Sequence, residues 1–504
     1  MVEIPLDFVQ SCSALHELRL SNMAMKKVPQ NVRYLTSLRR LDLSCNRFMD
    51  LDDAGLDRII ELDTLKLQNN RIEQLPWYFP RLCNLKHLNI SNNKFVQLPS
   101  VICQLSALVS LDISFNMITE LPEDIGHLTQ LEMLIFVGNN ISKIPEQCRQ
   151  LVKLKLVDCR RNNLSDLSFA QALPKLEFLQ ADHNSVYALD LSNWPSTADR
   201  LEASHNDITL LKLVPPMQKS YLLTYLDVSH AKLSSLDELD LSHLSYLQHL
   251  KLDHNLFRAL PEVLGDLDHL LTLSCSDNRL VALPESIGRL QRLESLDAHS
   301  NSLKYLPASL WNCASLTMIN VTSNLLELWH DPPGTGLVAP PATGITLDVP
   351  PALPTGRYYT IRNLSTEPSL LNSSPGGPAP PLAYSLERLY VGENRLNNES
   401  LPPFTVLKEL RVLNLSFNDI QEIPATFFRN LLKLEELYLS GNQLTSIPTE
   451  DLHRLARLSV LFLNGNKLQT LPHELGKVQS LTVLDVGSNA LRYNINNCEF
   501  DWNW

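Results

Sequence analysis

The chain has 504 residues, several times the roughly 100–200 residues of a typical domain, and its 44% hydrophobic and 19% charged residues are an ordinary globular composition. With 43 basic and 55 acidic side chains the net charge is −12 and no basic block occurs, which disfavours binding to nucleic acids or to an anionic membrane surface. No apolar run predicts a transmembrane helix, MVEIPLDFVQSC does not match a secretory signal, and nine scattered cysteines favour a reducing, cytoplasmic setting.

The dominant feature is a repeat of the form LxxLxLxxNxL, as in LRRLDLSCNRF at 38–48 and LEELYLSGNQL at 434–444. Most repeats follow one another at intervals of 22 to 25 residues, and counting degenerate copies with Met23 and Ala231 in the asparagine slot gives nineteen. This period and pattern match leucine-rich repeats. The asparagine falls at Asn46, Asn70, Asn93, Asn116, Asn139, Asn162, Asn184, Asn206, Asn255, Asn278, Asn301, Asn324, Asn394, Asn418, Asn442, Asn466 and Asn489.

The pattern predicts an α/β repeat fold, a leucine-rich-repeat solenoid with a curved parallel sheet on its concave face and short helices or turns on its convex face. LxLxx predicts a short strand whose alternate side chains point inward, so that the leucines of successive repeats form one core. We expect the asparagine to be buried and to hydrogen-bond backbone groups of neighbouring repeats. The LPxxIxxL stretches, such as LPEDIGHL at 121–128, predict the return segment, with proline at its start.

The sequence predicts four consecutive segments along the chain. About fourteen repeats occupy residues 1–328, a Pro-rich insertion that we expect to be disordered occupies 329–384, about five repeats occupy 385–491, and 492–504 form a junction. The insertion is either a tolerated loop or a Pro-rich docking segment. The junction places Phe500, Trp502 and Trp504 within five residues, and we expect it to be exposed in this chain and to begin a cap for the last repeat.

The sequence contains no catalytic motif of the P-loop, GxGxxG, HExxH or GxSxG type, and it predicts neither a cofactor site nor a metal site. A solenoid binds partners through its exposed strand positions, and apolar side chains there indicate either an interface or ordinary filling of a strand. Two such clusters occur. The first patch comprises Met133, Ile135, Val137, Leu156, Phe178 and Tyr225, with Arg160 among neighbouring cations; the second patch comprises Tyr390, Val412, Tyr438, Val460 and Phe462.

Histidine occupies the position before the repeat asparagine four times in succession, at His183, His205, His230 and His254. Because adjacent parallel strands lie about 4.8 Å apart, these residues predict a ladder of imidazoles. The ladder is either an incidental set of polar residues or a pH-responsive or metal-binding feature. If it responds to pH, protonated imidazoles in line would repel one another and lower the pKa values in the folded state.

The end of the chain, LTVLDVGSNALRYNINNCEFDWNW, resembles the junction of fungal adenylate cyclases, in which the last leucine-rich repeat leads through YNI and DWNW motifs into a phosphatase-like domain. LRLSNMAMKKVPQNVRYLTSLRRLDLSCNRF near the start also looks like early repeats of that family. PH-domain leucine-rich-repeat phosphatases have a similar junction. The resemblance to the cyclases covers essentially the whole chain.

The resemblance implies a regulatory, protein-binding module whose partner is a Ras-type small GTPase and whose parent protein makes cyclic AMP from ATP. The catalytic domain, which would need Mg²⁺ or Mn²⁺, and the phosphatase-like domain would then lie outside this chain. The expected location is cytoplasmic, with recruitment to the membrane periphery through the partner. The alternatives are the targeting repeats of a PP2C-type phosphatase and a stand-alone cytosolic scaffold.

Overall fold

The computed structural model describes residues 4–12, 14–214, 221–332 and 379–492. They fall into two compact blocks, an N-terminal block of residues 1–278 and a C-terminal block of residues 279–504. The predicted junction 492–504, including its three large aromatic residues, lies outside the described residues apart from Arg492.

Each block is built from three-residue strands that pair in parallel. The N-terminal block begins with α1 (Leu6–Ser11) and contains β1 (Glu17–Arg19), β2 (Arg40–Asp42), β3 (Thr64–Lys66), β4 (His87–Asn89), β5 (Ser110–Asp112), β6 (Met133–Ile135), β7 (Leu156–Asp158), β8 (Phe178–Gln180), β9 (Ala188–Asp190), β10 (Arg200–Glu202), β11 (Leu210–Lys212), β12 (Tyr225–Asp227), β13 (His249–Lys251) and β14 (Thr272–Ser274). The C-terminal block contains β15 (Ser295–Asp297), β16 (Met318–Asn320), β17 (Arg388–Tyr390), β18 (Val412–Asn414), β19 (Glu436–Tyr438), β20 (Val460–Phe462) and β21 (Val483–Asp485).

Strands of successive repeats are neighbours in each sheet, except that β9 and β11 form a separate pair and β10 lies between β8 and β12. The middle residue of each strand faces the core. Leu88, Leu111 and Leu134 are aligned partners on β4, β5 and β6, and all three are buried. The first and third residues of the strands face outward, as the alternation in the sequence predicts.

The return segments are short 3-10 turns, in agreement with the predicted convex side. Proline precedes several of them, such as Pro122, Pro261 and Pro284, where its fixed φ suits the start of a turn. The turns span Gln30–Tyr34, Asp52–Ala54, Leu56–Arg58, Phe79–Arg81, Ile102–Gln104, Glu123–His127, Glu146–Gln150, Ser168–Ala172, Leu241–His243, Glu262–Asp266, Glu285–Arg289, Ala308–Asn312, Pro381–Tyr384, Asn398–Ser400, Pro402–Val406, Phe427–Asn430, Leu452–Arg454 and His473–Lys477.

The repeat asparagines form the predicted network between repeats. The Nδ2 of Asn139 donates to the carbonyl of Ile113 in the preceding repeat at 3.1 Å and to that of Phe136 in its own repeat at 3.2 Å. Its Oδ1 accepts the backbone N–H of Ile118 at 3.0 Å. The same pattern recurs at Asn46 and Asn466, among others, so one buried side chain satisfies backbone groups of two repeats.

The residue before the asparagine slot has a left-handed backbone throughout the described repeats. This conformation disfavours most side chains, and Asn, Asp, His and Gly adopt it most readily. The positions are Asn22, Cys45, Asn69, Asn92, Phe115, Gly138, Arg161, His183, His205, His230, His254, Asp277, Ser300, Ser323, Glu393, Phe417, Gly441, Gly465 and Ser488.

The long interruption does not break the sheet of the C-terminal block. β16 pairs directly with β17, with Met318 opposite Arg388, and Asn394 donates to the carbonyl of Val321 at 3.0 Å. The edges of the predicted insertion 329–384 belong to the repeats. Trp329 is buried against Trp311 and Phe404, and residues 381–384 form a 3-10 turn, whereas 333–378 lie outside the described residues.

Two adjacent residues, Asn139 and Asn140, allow the structural role of the buried asparagine to be tested. Asn139→Ala removes a buried amide and should lower the free energy of unfolding by about 1–3 kcal/mol for each backbone group left without a partner. Asn140 is exposed, so Asn140→Ala should change stability by no more than about 0.5 kcal/mol. Urea titrations followed by far-UV circular dichroism would measure both. Equal effects of the two substitutions would contradict the structural role of the buried amide.

Candidate protein-binding face

Strand register arranges the outward-facing side chains of the N-terminal block in rows that cross the sheet. In the first row, Met133 on β6 lies opposite Leu156 on β7, which lies opposite Phe178 on β8. Ile135 occupies the second row, beside Met133 on the same strand. Because cross-strand partners have Cβ atoms about 5 Å apart, these four side chains form one continuous apolar surface.

Exposure differs among the residues of the first patch. Met133 is 36% exposed, Ile135, Leu156 and Phe178 are half-buried, and Val137 retains only 9% of its exposure. Val137 is therefore nearly buried and contributes little exposed area to the first patch.

Tyr225 lies on the same row but not in the same apolar cluster. Arg200 separates it from Phe178, since Phe178, Arg200 and Tyr225 are successive partners on β8, β10 and β12. The guanidinium carbon of Arg200 lies 3.7 Å from the centroid of the Tyr225 ring. The ammonium nitrogen of Lys251, on the neighbouring strand β13, lies 5.5 Å from the same centroid. Tyr225 thus belongs to a cation–π cluster beside the apolar run.

Two cations near this surface, Arg160 and Lys155, are paired with carboxylates of the chain. Arg160 makes a two-pronged contact with Asp158, with nitrogen–oxygen distances of 2.8 and 2.6 Å. Lys155 pairs with Glu132 at 2.9 Å, and this contact lowers the pKa of Glu132. These ion pairs were not predicted from the sequence, and they reduce the positive charge that the surface offers to an acidic partner.

The second patch is interrupted by polar residues. Glu436 lies between Val412 and Val460 in the first row of the C-terminal sheet. In the second row, Tyr390 lies opposite Asn414, which is followed by Tyr438 and Phe462.

The hydroxyl of Tyr438 donates to Glu436 at 2.7 Å, and its ring meets Phe462 edge to face at 5.2 Å. Burial and this hydrogen bond raise the pKa of Tyr438 to about 12, so it is a neutral donor at physiological pH. Tyr438 and Phe462 are contiguous, with Val460 beside Phe462 on β20, but no three apolar residues of the second patch follow one another in a row as Met133, Leu156 and Phe178 do, which makes the first patch the stronger candidate.

A depression of about 650 Å³ lies beside the first patch, where the strands lead into the asparagine turns. Its apolar lining is Phe115, Ile135 and Val137. Its polar lining includes Asp112, Asp158, Arg160, Arg161, Asp182, His183 and His205. Phe115 was not singled out from the sequence, although it is 53% exposed and lies directly beside the predicted residues. The signal in the sequence was a phenylalanine in one repeat followed by a glycine in the same slot of the next.

The four histidines form the predicted ladder at the edge of the N-terminal sheet. Successive ring centroids are separated by 4.2, 4.0 and 4.0 Å, and the rings are stacked. All four residues have φ between 52° and 56°, so the backbone supplies a reason for histidine at these positions. Among the described residues, no group of His, Cys, Asp or Glu has the arrangement of a metal site.

Burial lowers the pKa of His183 below its ordinary value of 6.5, and the charges of His205 and Arg161 lower it further, while Asp182 opposes them. The pKa of His230 is lowered by burial first and then by His205 and His254 on its two sides. The carboxylates of Asp253 and Asp227 oppose this shift.

Comparison with known proteins places these features in a family. The leucine rich repeat family matches residues 60–118, 83–141, 384–444, 408–468 and 434–491. The adenylate cyclase of Podospora anserina is 40% identical over the whole of this chain, which covers 26% of that protein. The adenylate cyclase of Mycosarcoma maydis is 49% identical over 68% of this chain, which covers 14% of that protein. YopM from Yersinia enterocolitica has a similar structure, with a TM-score of 0.63 and 26% identity over 96% of this chain and 90% of that one.

The fold and the asparagine network define a leucine-rich-repeat protein with an exposed sheet face suited to binding other proteins. Within that class, the chain belongs to the leucine-rich-repeat region of the fungal adenylate cyclases, and it spans about a quarter or less of the two cyclases described above. In the part of the chain that the structure describes, no helix is long and apolar enough to cross a membrane.

The histidine ladder predicts a pH-dependent loss of stability. Because the pKa values of His183 and His230 are lower in the folded protein, the unfolded chain binds more protons just below pH 6.5. The stabilising contribution is therefore complete above pH 6.5 and decreases as the pH falls from there towards the folded values.

Urea midpoints of the wild type and of a His183→Asn, His230→Asn variant, measured at pH 7.5 and 5.5, would check this. Asparagine suits the left-handed backbone and does not titrate, so the variant should lose less stability between the two pH values. An identical pH dependence of the two proteins would show that the ladder does not contribute.

Proposed function

We propose that this chain is the regulatory, protein-binding repeat region of a fungal-type adenylate cyclase, and that its partner is a Ras-type small GTPase. The GTPase would bind the first patch around Met133, Ile135, Leu156 and Phe178 and thereby control cyclic AMP synthesis. ATP cyclisation, with its requirement for Mg²⁺ or Mn²⁺, would be carried out by another part of the parent protein. The chain would act in the cytoplasm and reach the membrane periphery through its partner.

The observation that carries this proposal is the contiguity of the apolar run. Met133, Leu156 and Phe178 are consecutive cross-strand partners, whereas in the corresponding row of the C-terminal sheet Arg388 separates Met318 from Val412 and Glu436 separates Val412 from Val460. A continuous apolar surface on an outward-facing sheet is characteristic of an interface. The identity to fungal adenylate cyclases supports the parent protein, and the family resemblance supports the class of partner.

The ion pairs beside the first patch affect which contacts would supply the affinity of such an interface. Since Arg160 and Lys155 are already paired, apolar contact would supply most of the affinity. Rim charges would then affect the rate of encounter more than the stability of the complex.

A double substitution tests this placement. Ile135→Asp combined with Phe178→Asp puts two charges into the apolar run and should abolish pull-down of a fungal Ras-type GTPase loaded with a non-hydrolysable GTP analogue. Thr64→Asp with Thr272→Asp adds the same two charges at polar positions of the first row, outside the apolar run, and should leave binding within about twofold of the wild type. Far-UV circular dichroism would establish that both variants are folded. Undiminished binding by the Ile135/Phe178 variant would rule out this site.

A further inference from the structure

Phe115 combines exposure with an unfavourable backbone. Its φ is 51° and 53% of its surface is exposed, although bulky residues rarely adopt the left-handed conformation. The ring lies over Gly138 of the next repeat, where an added Cβ would be 2.7 Å from Cδ1 of Phe115. The fold therefore presents a large apolar ring at the surface, beside the other apolar residues of the first patch, and contiguous exposed apolar surface is common at binding sites.

The ring of Phe115 forms one wall of the depression beside the first patch. Ile135 and Val137, on and just after β6, line the same depression. Its volume of about 650 Å³ is large enough for a few side chains of a partner and too shallow to enclose a small molecule completely. An aliphatic or aromatic side chain entering it would contact Phe115, Ile135 and Val137 together.

The polar wall of the depression carries charges of both signs, with Asp112 in the repeat of Phe115 and with Arg160 and Arg161 two repeats further along the sheet. Asp112 accepts hydrogen bonds from the N–H of Ser114 and from the amide of Asn89, both at 3.0 Å. Asp182 accepts from the N–H and the hydroxyl of Ser204, both at 2.8 Å.

Among the described residues, no lysine or arginine lies within ion-pair distance of either carboxylate, whereas Asp158 is matched by Arg160. Burial raises the pKa of Asp182, and the charge of Asp182 helps to raise the pKa of Arg160, so that a cation of the chain already lies near this carboxylate.

We propose that the depression receives a partner segment in which an apolar side chain is adjacent to a lysine or arginine. The apolar side chain packs against Phe115, Ile135 and Val137, and the cation pairs with Asp112, the cross-strand partner of Ile135. This inference rests on the proposed protein-binding function and specifies the chemistry of the partner at that face. Charge complementarity carries the choice of a basic segment because, among the described residues, no lysine or arginine pairs with Asp112, whereas Arg160 interacts with both Asp158 and Asp182.

The chain supplies conservative variants for the test. Phe115→Asn removes the ring, and asparagine already occupies this left-handed position at Asn69 and Asn92. Asp112→Asn removes the charge but keeps the acceptor, as Asn89 shows by accepting the N–H of Ser91 at 2.9 Å. Phe417→Asn is the matched control, because Phe417 is 58% exposed, has φ 57° and covers Gly441 in the C-terminal block.

The first experiment uses a phage-displayed library of random dodecapeptides selected on the wild-type chain. Peptides that pair an apolar residue with Lys or Arg should be enriched and should bind the Phe115→Asn variant at least about tenfold more weakly. The Phe417→Asn variant should bind them within about twofold of the wild type. An enrichment of acidic peptides, an absence of enrichment, or peptides indifferent to Phe115→Asn would overturn the proposal.

The second experiment separates this inference from the identity of the partner. The Asp112→Asn variant should bind the selected peptides at least about tenfold more weakly in 50 mM NaCl, and its affinity should change less than that of the wild type between 50 and 300 mM. The GTP-loaded GTPase is then tested with the same variants.

Peptide selection as expected, together with no binding of the GTPase to the wild type, would refute the Ras-type partner alone. Binding of the GTPase that neither Phe115→Asn nor Asp112→Asn weakens would refute the present inference alone.

Discussion

The buried asparagine amide is the interaction on which the rest of the structure depends. Each amide bonds backbone groups in its own repeat and in the preceding one, as Asn139 does with Phe136, Ile113 and Ile118. A three-residue strand offers too few ladder hydrogen bonds to fix a register alone, and the amide adds a side-chain contact at the same place in each repeat. The turn that presents the asparagine also sets the left-handed residue before it.

Because the strands of successive repeats are held in register, the repeat pattern of the sequence determines which side chains are neighbours on the surface of the sheet. Once the leucines of successive strands are aligned, the outward residues must form rows, and a function can depend on which residues adjoin within a row. Met133, Leu156 and Phe178 adjoin, whereas Arg200 separates Phe178 from Tyr225. The five apolar residues of the second patch give a weaker surface because Glu436 and Asn414 intervene.

The sequence was sufficient for features that repeat and insufficient for features that depend on side-chain conformation. The repeat period located the strands, the core leucines and the asparagine network, since each follows from spacing alone. The pairing of Arg160 with Asp158 and of Lys155 with Glu132 depends on rotamers and could not be read from spacing. The packing of Trp329 on Phe404 also could not be predicted, because a segment with no repeat signal separates the two residues in the sequence.

The position before the asparagine explains why the candidate site lies at the turn rather than only on the strands. The fold uses the backbone of this residue and makes little use of its side chain, so asparagine, histidine, serine, arginine and phenylalanine all occur there. Packing constrains the leucine positions to a few apolar residues, but this position can carry almost any chemistry at a fixed distance from the sheet. Phenylalanine is the costly choice because of its left-handed backbone, and it occurs where the next repeat supplies glycine at the same slot, at Gly138 and Gly441. The two residues therefore form a pair, in which the glycine accommodates the ring and the ring extends the apolar surface beyond the strands.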